Sequence, residues 1–390
     1  MKYTILIFLF VLSLLQVKAA TVEIDFYSQK ISLDYNLGML NKGDVRLGYA
    51  DAGGKLQIQR YYEKQRFSGA YLTLLNELRR AKREYLLNDW LFYKLTTQAI
   101  EKIGQAKSKR HRVFMRWFIL NMAGFDCRMT YANNRTYINI YTEDELFAMP
   151  MIEEAGKMFA NLSEKEYPGQ SSESLYIVGY VPNPGGRAFK FGMHKLPKFS
   201  AQKISKIIDF QTDTDKYSVK IAFDANVVKL MKNYPYMADE EYFRVPISPT
   251  LKASLLPALQ KIIADKSQYE ALSILASFTR NGFGYQLDED QFGVSKPMIP
   301  EELFWYPYSD CEDRCALFHA LTKELLGLDM VVLIFDDHVS MAVAADLEGD
   351  LIRFEGERYF VVDPTGPSNS DRIGWFPQGY GDREIEVVMP

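Results

Sequence analysis

The chain is short of cysteine and of histidine. Among 390 residues there are three of the first and four of the second. Three thiols exclude a disulfide-dense scaffold, which would use more and in an even number. Basic excess is missing too. Lys and Arg number 46 against 50 Asp and Glu, a formal charge of -4, which takes away the electrostatic footing of nucleic-acid binding. Beyond residue 19 no apolar run approaches 18 uninterrupted residues, so no membrane-spanning helix is expected. What is present is ordinary for a globular protein: 47% hydrophobic, 25% charged and a rather high 14% aromatic residues. That length should give two or three domains, each with an ample core.

Residues 1–19 read as a secretory signal peptide. Lys2 gives the basic start, 5–15 the apolar run, and Val17-Lys18-Ala19 the small-residue cleavage site. Cleavage leaves Ala20 in front, and no cysteine follows to take a lipid. The expectation is a secreted or periplasmic protein.

The remaining chain reads as one unit written twice. Strands at 21–26 and 30–35 are followed by helices over 71–87 and 90–103, a helix over 112–123 ending at Gly124, and two strands around Asn133-Asn134. Later come strands at 208–210 and 217–223, helices over 251–263 and 269–280, a helix ending at Gly327, and a last strand through Val362. The expected domains are a degenerate copy over 20–165, a linker and β-hairpin over 166–205, and strands plus a second copy over 206–390. Within the linker, polar residues 171–174 precede a hairpin of strands 176–181 and 187–192 around Asn183-Pro-Gly-Gly186. The second copy carries an extra segment, 282–305, just ahead of Cys311. Cys311 falls opposite Ser108, His338 opposite Arg135 and Asp363 opposite Leu162. Neither Arg135 nor Leu162 can take a proton from a serine, so the first copy lacks the chemistry of the second. The fold class is α+β, helices against antiparallel sheets.

The second copy is organised around Tyr306-Pro-Tyr-Ser-Asp-Cys-Glu-Asp-Arg-Cys-Ala-Leu-Phe318. Ser309 and Glu312 read as a capping box opening a helix. Cys311 then sits in the first turn, where free N–H groups and the dipole favour a thiolate. Asp310, Glu312 and Asp313 oppose that charge, so an imidazole is needed. Cys315 and Cys127 read as buried, with a bridge between them left open. Asp288-Glu-Asp290 reads as a solvated acidic loop, and no metal or cofactor is expected.

His319 lies eight residues along the same helix, about 12 Å away by helical rise, too far to serve Cys311. His111 and His194 belong to the first copy and the central segment. His338 remains, on a strand face with Ser340, Ala342 and Ala344, whose small side chains would let a helix end approach. Asp363, ending Tyr359-Phe-Val-Val, either caps the following Pro-Thr-Gly turn or orients the imidazole. Trp305, Tyr306 and Tyr308 are candidates for lining the site or for assisting the Cys311 N–H as oxyanion donors.

Ser-Asp-Cys311-Glu-Asp, Asp-His338-Val-Ser-Met-Ala-Val and Phe-Val-Val-Asp363-Pro-Thr together resemble the transglutaminase-like superfamily of papain-type thiol enzymes. More loosely, Asn88-Asp-Trp90 and Tyr306-Pro-Tyr308 resemble secreted transglutaminase-like proteins of Bacteroidetes-type bacteria. The motifs cover roughly 265–366. The resemblance implies a papain-like helix-plus-sheet fold, Cys311 as nucleophile, His338 as base, Asp363 as orienter and no cofactor. It also leads one to expect a small residue where this chain has Cys315. The function so implied is acyl transfer from a peptide, protein or cell-wall amide, with hydrolysis favoured over transfer to an amine. The rival is a binding or assembly protein on the same scaffold.

Overall fold

A computed structural model describes residues 19–40, 52–132, 135–163, 176–366 and 372–390. The leader through residue 18, the Asn133-Asn134 turn and the polar stretch 171–174 lie outside them. The first half opens on an antiparallel hairpin, β1 (Ala19–Phe26) with β2 (Gln29–Asn36). Val22 and Ile24 alternate inward opposite Leu33 and Ile31, as a half-buried strand pair requires. Four helices follow: α1 (Ala52–Ser68), α2 (Tyr71–Glu84), α3 (Asp89–Ile103) and α4 (Lys109–Met122). Of these α1 was not foreseen. Asn88 caps α3 by accepting from the Leu91 N–H, and Ser108 caps α4 by accepting from His111, which satisfies donors that a helix start leaves open. Strands β3 (Cys127–Ala132), β4 (Arg135–Tyr141), β5 (Leu146–Phe147), β6 (Met151–Glu154), β7 (Lys157–Asn161) and β8 (Tyr176–Ile177) complete this half.

The hairpin expected around 183–186 does not form. Strand structure stops at Ile177, and Arg187 and Phe189 make only isolated bridges to Phe125 and Thr142. The segment spends its polar groups on the first half instead. Arg187 pairs with Asp89 at 2.6 Å, and the Asn183 amide donates to the Phe125 carbonyl. A Cβ on Gly186 would stand 2.4 Å from the Phe125–Asp126 backbone, so only glycine permits this approach.

The second half contains β9 (Lys203–Gln211), β10 (Lys216–Asp224), α5 (Ala225–Met231), β11 (Tyr236–Met237), α6 (Asp239–Phe243), α7 (Pro249–Ile263) and α8 (Gln268–Asn281). The inserted segment supplies β12 (Gly284–Tyr285) and α9 (Asp288–Phe292). Then come β13 (Tyr308–Ser309), α10 (Cys311–Leu326), β14 (Met330–Ile334), β15 (Val339–Val343), β16 (Leu351–Phe354), β17 (Glu357–Val362) and β18 (Glu386–Val388). The two five-stranded sheets run β6-β7-β4-β3-β8 and β16-β17-β15-β14-β18, every pair antiparallel. Strand for strand they have the same order. No helix among the described residues is long and apolar enough to cross a membrane.

Residue equivalences differ from those expected. Ser108 and Asp310 are both N-caps, so Lys109 rather than Ser108 occupies the place of Cys311. The Ser163 N–H bonds Asn161 as the Thr365 N–H bonds Asp363, so Asn161 rather than Leu162 holds the place of Asp363. Each half has its own core, and 225–245 is divided between them. Leu230, Met231 and Tyr242 pack with the first half, Val228 and Phe243 with the second.

Candidate functional site

The N-terminus of α10 is capped by Asp310, not by Ser309. Asp310 and Asp313 form the capping box, the Asp310 N–H donating to the Asp313 carboxylate at 3.2 Å. Ser309 is the last residue of β13 and accepts from Arg314 instead. The shift follows from the short β12–β13 pairing, which holds Ser309 extended beside Tyr285. Cys311 is therefore the first residue of α10, and it is buried. The helix ends at Gly327, whose φ of 66° closes it in the left-handed conformation, one that glycine adopts without strain.

His338 stands at the turn entering β15, where its carbonyl accepts from the Phe335 N–H at 2.8 Å. It precedes the first paired residue, Val339, so strand alternation does not fix its side. The face of β15 that α10 covers is not the small one, as expected, but Val339, Met341 and Val343, which share a core with Cys311, Cys315 and Leu321. Ala342 faces the opposite layer with Val331 and Val361.

His338 Nε2 and Asp363 Oδ2 are 3.1 Å apart, both residues buried. Burial would raise the Asp363 pKa, but the bonds from His338 and from Thr365 hold it below the usual carboxylate range. Thr365 donates to Oδ1 from its hydroxyl at 2.7 Å and from its N–H at 2.9 Å. An ionised carboxylate only accepts, so Nε2 carries a proton, and in the neutral ring this leaves the lone pair on Nδ1. Asp363 thus caps its own turn and orients the imidazole at once. The rings of Tyr380 and Phe335 lie 5.0 and 6.2 Å from the imidazole.

Cys311 shares a core with Val339, the residue that follows His338 directly, and the Val339 backbone works to lower its pKa. One turn on, the Cys315 Sγ donates to the Val339 carbonyl at 3.4 Å, and its thiol is pushed up by burial, by Asp363 and by Cys311. Cys315 and Cys127 are buried as expected, and all three cysteines are free thiols. The Cys311 Sγ donates to Glu312 Oε2 at 3.2 Å. Burial, Glu312 and Asp310 push its pKa well above the ordinary thiol value. Burial and the acidic neighbours thus prevail over the helix dipole. Glu312 is itself raised to about 8 by burial and by Asp310.

The inserted segment folds over this helix end. The Met298 N–H donates to Asp313 at 2.7 Å, and the Asp288 N–H to Asp310 at 3.2 Å. Asp288 opens α9 with its side chain inward, while Glu289 and Asp290 point outward, so this is a helical turn rather than an acidic loop. Oxygens of Asp288, Asp310 and Glu312 lie within 4.8 Å of one another. Those three carboxylates are the donors that could hold a hard divalent cation.

The aromatic candidates have other neighbours. Trp305 packs on Phe223, Tyr306 on Phe292 with Lys296 over its ring, and Tyr308 lies against Gly284. An aromatic residue that sequence reasoning did not single out is Tyr285, paired in register with Ser309; its phenol is raised by burial and then by the charge of Cys311. Nothing in its spacing marked it, because the insertion has no counterpart in the first half. Arg314, Arg280 and Thr365 were also missed. Arg314 and Arg280 donate to the carbonyls of Thr365 and Asp363, fixing the turn that carries the carboxylate. Of the other histidines, His319 bonds the Phe243 carbonyl at 3.2 Å and His194 bonds Glu241 at 2.9 Å. Comparison with family models, curated proteins and solved structures finds no match to this chain.

Proposed function

We propose that the chain is a thiol-dependent acyl-transfer enzyme of transglutaminase-like type, acting on amide bonds. The observation that carries this reading is the buried His338–Asp363 pair, 3.1 Å apart, at the entrance of the strand whose first residue, Val339, shares a core with Cys311. In this mechanism Cys311 attacks the amide carbonyl as its proton passes to His338 Nδ1. The oxyanion is met by N–H groups at the start of α10. His338 then protonates the departing amine, leaving a thioester that water resolves to a carboxylic acid, or an amine to a new amide. Asp363 holds the ring and offsets its positive charge. Because its neighbours keep the sulfur protonated, the proton moves on substrate attack and no thiolate–imidazolium pair preforms. Hydrolysis is favoured, with export by the leader and a peptide, protein or cell-wall amide as substrate. The matching strand orders support a tandem duplication in which the first copy is structural.

A second reading, a non-catalytic binding scaffold, is favoured by the raised Cys311 thiol. A fluorogenic peptide and glutamine-amide screen separates the two. Turnover by the wild type, lost in Cys311→Ala, supports the enzyme; equal signals from both proteins remove it.

A further inference from the structure

A cavity of about 710 Å³ opens beside the site, and three cations, Lys216, Arg280 and Arg314, line it against one acid, Asp209. Arg314 is the informative one. It is 3% exposed, on the first turn of α10, next to the cysteine helix start. Its guanidinium donates to the Ser309 hydroxyl at 3.2 Å and to the carbonyls of Thr365 and Phe283 at 2.5 and 2.7 Å. All three acceptors are uncharged, and the Tyr285 ring lies 4.9 Å from it. Among the described residues no carboxylate forms an ion pair with it. A buried guanidinium is ordinarily paired with a carboxylate, because burial without one is costly. Here three bonds use three of five N–H donors; burial and the neighbouring Arg280 lower its hold on its proton, against Tyr285, Asp313 and Asp310, whose charges raise it. Two guanidiniums and an ammonium facing one cavity make an anion site, and their fork geometry matches a carboxylate.

The position of this cavity relates it to the chemistry. Tyr285 lines it and pairs in register with Ser309, two residues before Cys311. Arg280 and Arg314 hold the backbone of the Asp363–Thr365 turn. Phe283 and Tyr285 give the walls an apolar face that suits the hydrocarbon stem of a side chain.

We propose that this cavity is a substrate subsite that selects a peptide carboxylate close to the scissile amide. The proposal rests on the amide-cleaving reading for the word substrate, and the test keeps the two apart. Calorimetry on the Cys311→Ala protein would compare capped pentapeptide pools carrying Glu or Gln at one fixed position with an all-neutral pool bearing a free C-terminus. The Glu pool, or the free-terminus pool if the carboxylate is terminal, should bind about tenfold tighter than the Gln pool, a difference of about 1.4 kcal/mol. The advantage should shrink as salt rises to about 0.5 M. Lys216→Glu, at an exposed strand start, and Arg280→Gln should each remove most of it. Equal binding of acidic and neutral pools, or no binding of either, overturns the subsite. If wild type cleaves both pools alike, the subsite falls and the enzyme reading stands. If Cys311→Ala prefers acidic pools that the wild type never turns over, the subsite stands and the enzyme reading falls.

Discussion

At Cys311 the local charges decide how the sulfur is used. The helix start offers N–H groups and a partial positive charge worth at most about 1–2 kcal/mol to an anion. Burial and two carboxylates outweigh that and hold the thiol well above its usual pKa. Glu312→Gln keeps an oxygen that can accept the thiol proton but takes away one repelling charge. Iodoacetamide should then react faster with Cys311 at pH 8.5 than in the wild type. His338→Ala removes the proposed base. Steady-state kinetics on a cleaved peptide should show kcat/KM lower by about 10²–10⁴, the range for a general base. Sequence reasoning could single out Cys311, His338 and Asp363 because reactive residue types are few here, with four histidines to judge, and the structure brings His338 and Asp363 together. Arg314 and Tyr285 stayed hidden, since an arginine on a helix and a tyrosine in a loop carry no distinctive spacing.

Among the elements, α10 positions the site, and two of its residues show how. Leu321 is fully buried between α10 and the second sheet's core. Leu321→Ala should lower unfolding stability by about 2–5 kcal/mol in denaturant titration. Gly327 ends the helix at φ 66°, and an added Cβ would meet nothing within 4 Å. Gly327→Ala should therefore lose only the backbone term, about 1–2 kcal/mol, by the same measurement. Helices with strong apolar periodicity and caps were legible, and so were the alternating hairpins. The 187–192 segment was not, because Gly186 and Arg187 commit it to the first half, a long-range choice. The cap of α10 was misread by one residue because Ser309 and Asp310 are both good N-caps, and only pairing of Ser309 with Tyr285 decides between them.

For the whole molecule, the common strand order of two sheets ties the halves together, while buried titratable groups tie stability to pH. Burial lowers the His319 pKa from 6.5 to about 4. The folded pKa lies below the unfolded one, so its neutral form stabilises the fold above about pH 6.5. That contribution, on the order of 3 kcal/mol, is lost as pH falls from 6.5 toward 4. Unfolding titrations at pH 7 and 4.5 should show a smaller acid loss in His319→Gln than in the wild type. The account stands or falls on Cys311, His338 and Asp363 acting as one unit, and native-state alkylation of the intact protein tests this most directly. Cys127 and Cys315 are wholly buried, so iodoacetamide followed by mass spectrometry reports Cys311. The account predicts labelling slowed about tenfold or more in His338→Ala, with Asp363→Asn adding nothing in the double variant, as for groups that act together. Equal labelling rates in wild type, His338→Ala and Asp363→Asn would contradict it.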